Sequence, residues 1–210
     1  MTASSKQLER CCLATVGATV GFPKLIKTVL ENKFWEHIRA HGFTSLRIQC
    51  GPDLPWASEY LSSHKDQIPP GLTVEVFGLS KNLMLEEMTL CKAVAGKSDQ
   101  GLIISHAGTG TILDAWKLGL PIIVVPNTDL LDDHQSEMAR YLADEGYATQ
   151  SSTDLEDLQG AIDKSNRLWE ENKNRWQPHS TSSQAHTRIS LWEISPKEVR
   201  REENSQMVHD

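Results

Sequence analysis

The chain has 210 residues, enough for one large domain or for one domain with a tail. Its net charge of -7 argues against a general binder of nucleic-acid backbones, which carries a basic footprint, but leaves room for a local anion site. No run approaches the roughly 20 apolar residues that cross a bilayer, and the polar stretch 1–10 has no apolar segment of the kind a secretory signal needs.

In chain order, Cys11–Val16 is the first of five short apolar runs, followed by Ser45–Cys50, Thr73–Phe77, Leu102–Ser105 and Ile122–Val125. All are strand length and lack polar alternation, the pattern of strands covered on both faces in a parallel sheet. The segments between them carry helical periodicity. Phe22, Ile26, Leu30, Phe34 and Ile38 form one i, i+4 row, with Leu25 and Val29 beside it. Pro52–Pro70 is polar and proline-rich and reads as a surface loop. Met84, Met88, Cys91 and Ala95 form a second stripe; Ile112, Ala115, Trp116 and Gly119 a third. Asp132 and Asp133 resemble an N-cap pair for a helix carrying Met138, Ala139 and Leu142 that stops near Gly146. Asp154 opens a last helix with Leu155, Leu158, Ile162 and Trp169 on one side. Apolar stripes at this spacing are read as core.

Strands alternating with helices give repeated βαβ units, and the expected fold is α/β, a Rossmann-like doubly wound parallel sheet over residues 11–176. From Gln177 the chain turns Ser-, Thr- and His-rich and then charged. Within this tail, 177–210, the patch Ile189, Leu191, Trp192 and Ile194 predicts a short docking segment over 189–194, ended by Pro196. The stretch 197–210 reads as a solvated end. Cys11, Cys12, Cys50 and Cys91 form no CxxC pair, so buried, reduced thiols are expected, with neither metal nor redox role.

The most informative stretch is Leu102–Pro126, LIISHAGTGTILDAWKLGLPIIVVP. A strand ending at Ser105 leads through His106, Ala107, Gly108, Thr109, Gly110 and Thr111 into a helix. Glycines permit close backbone approach, and the free N–H groups of a helix start, with the threonine hydroxyls, can hold a diphosphate. Asp114, early in that helix, can bond ribose hydroxyls. The spacing is neither GxxxxGK[ST] nor GxGxxG, which excludes a P-loop kinase and a dinucleotide dehydrogenase; on spacing alone a plain strand-to-helix turn also accounts for it. A second loop, VPNTDLLDDHQ, follows the next strand. It brings Asn127, His134 and Gln135 beside the first, although Asp132 and Asp133 are most simply caps and a lone His134 a surface histidine. A third, TVGATVGF, offers Gly17 and Thr19 after the first strand, or is a plain βα turn.

Together, ISHAGTGTILDA, LPIIVVPN, DDHQ and the opening TVGATVGFPKL resemble the nucleotide-sugar-binding half of the two-domain, inverting, MurG-like glycosyltransferases (the glycosyltransferase family 28 C-terminal domain) over roughly Leu13 to Ile162. The resemblance is strongest to the small subunits of the split eukaryotic UDP-N-acetylglucosamine transferases of asparagine-linked glycosylation. It implies the C-terminal, donor half of a GT-B fold. It also implies GlcNAc transfer from UDP-GlcNAc to the 4-hydroxyl of dolichyl-diphosphate-GlcNAc, without cofactor or metal. The acceptor half would come from a membrane-anchored partner subunit in a heterodimer, placing the chain in the cytoplasm and, peripherally, at the cytosolic face of the endoplasmic reticulum. By the same resemblance Gly108–Thr111 cradle the diphosphate and uridine side, Asp114 takes the ribose, His134 and Gln135 contact the GlcNAc, and His106 lies near the phosphates. Gly17, Thr19, Ser105 and Asn127 complete the expected donor site. His106 and His134 are the candidate catalytic residues, His106 being open to a purely positioning role and the general base to a partner residue. Two other readings stand beside this one: a non-catalytic regulatory subunit that binds UDP-GlcNAc, and an epimerase on the same scaffold.

Overall fold

The computed structural model describes residues 8–17, 20–128 and 134–172, leaving aside the side chains of His134 and Asn172. The expected docking segment 189–194, Thr19, Asp132 and Asp133 lie outside the described residues.

All five predicted strands form: β1 (Cys11–Thr15), β2 (Ser45–Gln49), β3 (Thr73–Phe77), β4 (Leu102–His106) and β5 (Ile122–Val125). A two-residue β6 (Thr149–Gln150) joins them, too short to register as an apolar run. The sheet is parallel in every pairing, in the order β3-β2-β1-β4-β5-β6. Every residue of β1 and β5 is buried, as the unbroken apolar runs require. The expectation of two covered faces fails at β3, whose Thr73 and Glu75 are exposed because it is an edge strand.

Helices α1 (Pro23–Val29) and α2 (Asn32–Ala40) divide what the periodicity shows as one apolar row. Phe22, Ile26, Leu30, Phe34 and Ile38 are all buried, but Glu31 is extended and caps α2. The break is stabilised by Trp35, whose indole Nε1–H donates to the Val29 carbonyl at 3.0 Å, pairing an acceptor that would otherwise be orphaned at the helix end. A second correction concerns Pro52–Pro70, which contains α3 (Leu54–Ser63). Proline there sits in the first helical turn, where its missing N–H costs nothing, and Ala57 and Leu61 bury one stripe. The stripe from Met84 to Ala95 is likewise not one helix. A four-residue α4 (Leu83–Glu86), capped by the Asn82 side chain accepting from Leu85 N–H at 3.1 Å, is followed by a 3-10 turn over Met88–Cys91, and Ala95 is exposed. At the junction, Glu87 is drawn inward by Arg47, which binds its carboxylate through Nε and, at 3.0 Å, through Nη2.

The remaining helices are α5 (Thr109–Lys117), α6 (His134–Asp144) and α7 (Leu155–Asn172). Gly119 and Gly146 follow α5 and α6 with φ of 66° and 74°, left-handed positions that suit glycine at a helix end. One core cluster gathers α1, α2 and α7 around Ile48, Ile104 and Ile123; the other gathers α5 and α6 around Leu13, Ile103 and Val124. The central strands are thus covered on both faces. Cys11, Cys12, Cys50 and Cys91 are buried and free, and burial pushes the Cys50 thiol up to about 12. No helix among the described residues is long and apolar enough to cross a membrane.

Candidate functional site

Strand order reverses between β1 and β4, and open parallel sheets bind ligands outside the carboxyl ends of their strands at such a point. Thr15 pairs with Ser105 across these strands, so the Gly17 turn lies against the loop that follows β4. Two stretches nearly ninety residues apart in sequence thereby form one crevice.

His106 is the last residue of β4, one position beyond the expected strand end. Its ring is wedged between glycines. A Cβ at Gly17 would lie 2.7 Å from His106 Cε1, and one at Gly108 would lie 2.8 Å from the same atom. Gly17 also has φ of 84°, a conformation that side chains disfavour. Burial lowers the His106 pKa, with a backbone hydrogen bond to Thr15 acting the other way. Its Nδ1 is buried without a hydrogen-bond partner. Burial therefore favours the neutral imidazole.

After His106 the chain turns sharply, the Gly108 N–H donating to the His106 carbonyl at 2.7 Å. Gly108 is the N-cap of α5 and brings no side chain to its amides. The first bond of the helix runs from Ile112 N–H to the Gly108 carbonyl, at 3.2 Å. The N–H groups of Thr109, Gly110 and Thr111 precede it and have no carbonyl within the helix to meet. Thr109 and Gly110 are exposed. Partial positive charge at a helix start, free amides and a glycine approach make an anion cradle.

Asp114 lies in the second turn of α5, half-buried, and accepts from Lys117 Nζ at 2.9 Å. Ser105 is fully buried and donates its hydroxyl to the His106 carbonyl at 2.7 Å, so it shapes the loop from below and is not offered to the crevice. From the neighbouring strand, the buried Asn127 donates its backbone N–H to Gln135 Oε1 at 3.3 Å, tying the loop after β5 to the first turn of α6. That bond uses the acceptor of the Gln135 amide and leaves its NH2 for a ligand oxygen. Thr109 and Met138 connect α5 to α6 through an Oγ1–Sδ contact of 3.7 Å. His134 opens α6.

Beyond β5 the carboxyl edge continues as a polar groove of about 620 Å³, lined among others by Thr128, Ser136, Gln150, Ser151 and Lys164. These residues were not anticipated; the one local signal is the SSTD run before α7, which supplies Ser151 to the lining and follows a strand of only two residues. An apolar cavity of about 100 Å³ between Trp116, Tyr147 and Trp169 opens at the amino ends of β5 and β6 instead. Among the described residues, one group of three could hold a metal ion, His37, His41 and Asp163, and it is not part of this crevice.

By fold, this is an α/β domain of the doubly wound, Rossmann-like kind, with a helix start open to an anion at its switch point. The model of the glycosyltransferase family 28 C-terminal domain matches residues 11–189, and the chain belongs to that family. It is similar to the UDP-N-acetylglucosamine transferase subunit ALG13 of Saccharomyces cerevisiae, 33% identical over 154 residues that span 66% of this chain and 76% of the relative. The Kluyveromyces lactis subunit of the same name is 31% identical over 75% of this chain and 87% of its own. The NMR solution structure of ALG13 superposes with a TM-score of 0.58 at 30% identity, covering 76% of this chain and 87% of that one. The glycosyltransferase of kitacinnamycin shares the fold, at TM-score 0.50 and 19% identity over 80% of this chain and 39% of that one.

Proposed function

We propose that this chain is the donor-binding, catalytic subunit of a heteromeric inverting glycosyltransferase that moves GlcNAc from UDP-GlcNAc to dolichyl-diphosphate-GlcNAc, an early step in building the lipid-linked oligosaccharide for protein N-glycosylation. The observation that carries the reading is the open amide cradle at Thr109–Thr111, set at the switch point of the sheet beside His106. The family membership and the names of the similar subunits support it.

In this reading the diphosphate sits on the α5 amides. The acceptor 4-hydroxyl attacks the sugar's anomeric carbon as its bond to the UDP oxygen breaks. Charge develops on that oxygen, and fixed N–H dipoles aimed at it lower the barrier without reorganising. Asp114 exchanges its Lys117 contact for the ribose hydroxyls, and the Gln135 NH2 donates to the GlcNAc. His106 positions the diphosphate. The base that takes the hydroxyl proton is His134 or a residue of a membrane-anchored partner, which supplies the acceptor half and holds the complex on the cytosolic face of the endoplasmic reticulum.

The test is UDP-GlcNAc binding by calorimetry on the chain alone, with GlcNAc transfer to a phytanyl-diphosphate-GlcNAc acceptor measured with and without the partner subunit. Transfer only in the mixture supports the reading. Binding without transfer in the mixture replaces it with a regulatory subunit, and no binding at all removes the donor site from this chain.

A further inference from the structure

We infer that His37, His41 and Asp163 form a site for one divalent transition-metal ion of the zinc type, linking α2 to α7 at the amino edge of the sheet. The inference is independent of the donor site.

His37 and His41 are one helical turn apart on α2, and their ring centroids are 4.4 Å apart. Asp163 reaches them from α7. Its Oδ1 lies 2.8 Å from Nε2 of His41 and 3.5 Å from Nε2 of His37. One potential ligand atom from each of the three lies within 4.8 Å of the others. Tetrahedral zinc, with bonds of about 2.0–2.1 Å to nitrogen and oxygen, holds its ligand atoms roughly 3.3 Å apart. Small side-chain rotations therefore suffice.

The surroundings are those of a metal site. His41 Nδ1 faces the His37 carbonyl at 2.8 Å, which keeps a proton on that nitrogen, so a metal that displaces the proton between Nε2 and Asp163 meets the Nε2 lone pair. His37 Nε2 is buried and has no hydrogen-bond partner. Asp163 alone does not serve both rings: its oxygen is well placed for His41 and leaves His37 Nε2 unpaired. A cation at the centre serves all three groups. Asp163 is half exposed, which provides an entry path and a fourth position for water.

Other contacts hold the two helices together around the cluster. Gln159 Nε2 donates to the Lys33 carbonyl at 3.1 Å. Arg10 donates to Asn166 Oδ1 at 2.9 Å and to the His41 carbonyl at 2.7 Å. The site is thus built before an ion arrives. Placed where α2 leads into β2, away from the donor crevice, it fastens α7 to the domain.

The experiment uses the tag-free full chain, stripped with chelator, and titrates it with zinc by calorimetry and with cobalt by visible absorption. The expected result is one zinc equivalent and a cobalt spectrum of nitrogen and oxygen ligation. With zinc at roughly 100 times its dissociation constant, the melting temperature should rise on the order of 5–10 °C. Asp163→Asn and His41→Gln, each checked for native circular dichroism, should each weaken binding at least about tenfold, since even outer-shell changes cost that much. Absence of saturable zinc binding to the parent chain overturns the inference. So does undiminished affinity in both variants, or a cobalt spectrum with thiolate charge transfer, which would assign the ion to the cysteines.

Discussion

The imidazole of His106 occupies the space where a side chain on Gly17 would begin, 2.7 Å from ring carbon to ideal Cβ. Gly17→Ala must therefore displace the ring as well as strain a backbone at φ of 84°. It is expected to cost about 2–3 kcal/mol by chemical denaturation, from overpacking together with the left-handed penalty. In the double variant Gly17→Ala/His106→Ala the overpacking component should vanish, leaving about 1 kcal/mol of backbone cost. Fully additive costs would mean that the ring does not set the Gly17 requirement.

Acid should act through the same histidine. Its folded pKa lies below the ordinary value, so the native state holds fewer protons than the unfolded chain once pH falls below about 6.5. The stability linked to neutral His106 is complete above that pH and is lost as pH falls through the folded pKa. Denaturant midpoints measured from pH 7.5 to pH 5 should drop less steeply in His106→Gln than in the parent chain. Superimposable curves would remove His106 from the acid response.

Asp114 separates binding from folding. Its pair with Lys117 is solvent-accessible, the lysine side chain being 66% exposed, and such pairs contribute little to stability. Asp114→Asn should leave the melting temperature within about 2 °C. The same change should weaken UDP-GlcNAc binding by about 1–3 kcal/mol, the loss of hydrogen bonds to a charged group. Unchanged affinity would place the ribose elsewhere.

Arg47 holds two carboxylates, Glu75 at the edge of the sheet and the largely buried Glu87. The hydrogen bond with Glu87, then its charge and that of Glu75, outweigh burial and raise the Arg47 pKa. Arg47→Ala strands Glu87 without its counter-charge and is expected to cost about 3 kcal/mol. Glu75→Ala, on the exposed side, should cost less than about 1 kcal/mol. Equal losses in the two variants would contradict this division.

Legibility in the sequence followed range. The runs that became β1, β4 and β5 were readable because a strand covered on both faces needs uninterrupted apolar residues, those of β2 and β3 by their length and β-branched residues, and the motif from Leu102 to Pro126 announced a strand, a glycine turn and a helix start in one local stretch. The α2 break, the α3 helix behind its proline and the abrupt end of α4 were not readable. Each depends on a partner or a position that periodicity does not contain: the indole of Trp35 on the Val29 carbonyl, a first-turn place for Pro55, the Arg47 grip on Glu87. The candidate site divides the same way. Sequence alone determined which residue types could cradle a diphosphate. Only the tertiary structure, by pairing β1 with β4, set Gly17 against His106, turned Ser105 away into the core, bound Gln135 to the Asn127 backbone and brought Asp163 to the two α2 histidines, because contacts between distant residues are decided by strand order and helix packing and leave no periodic trace along the chain.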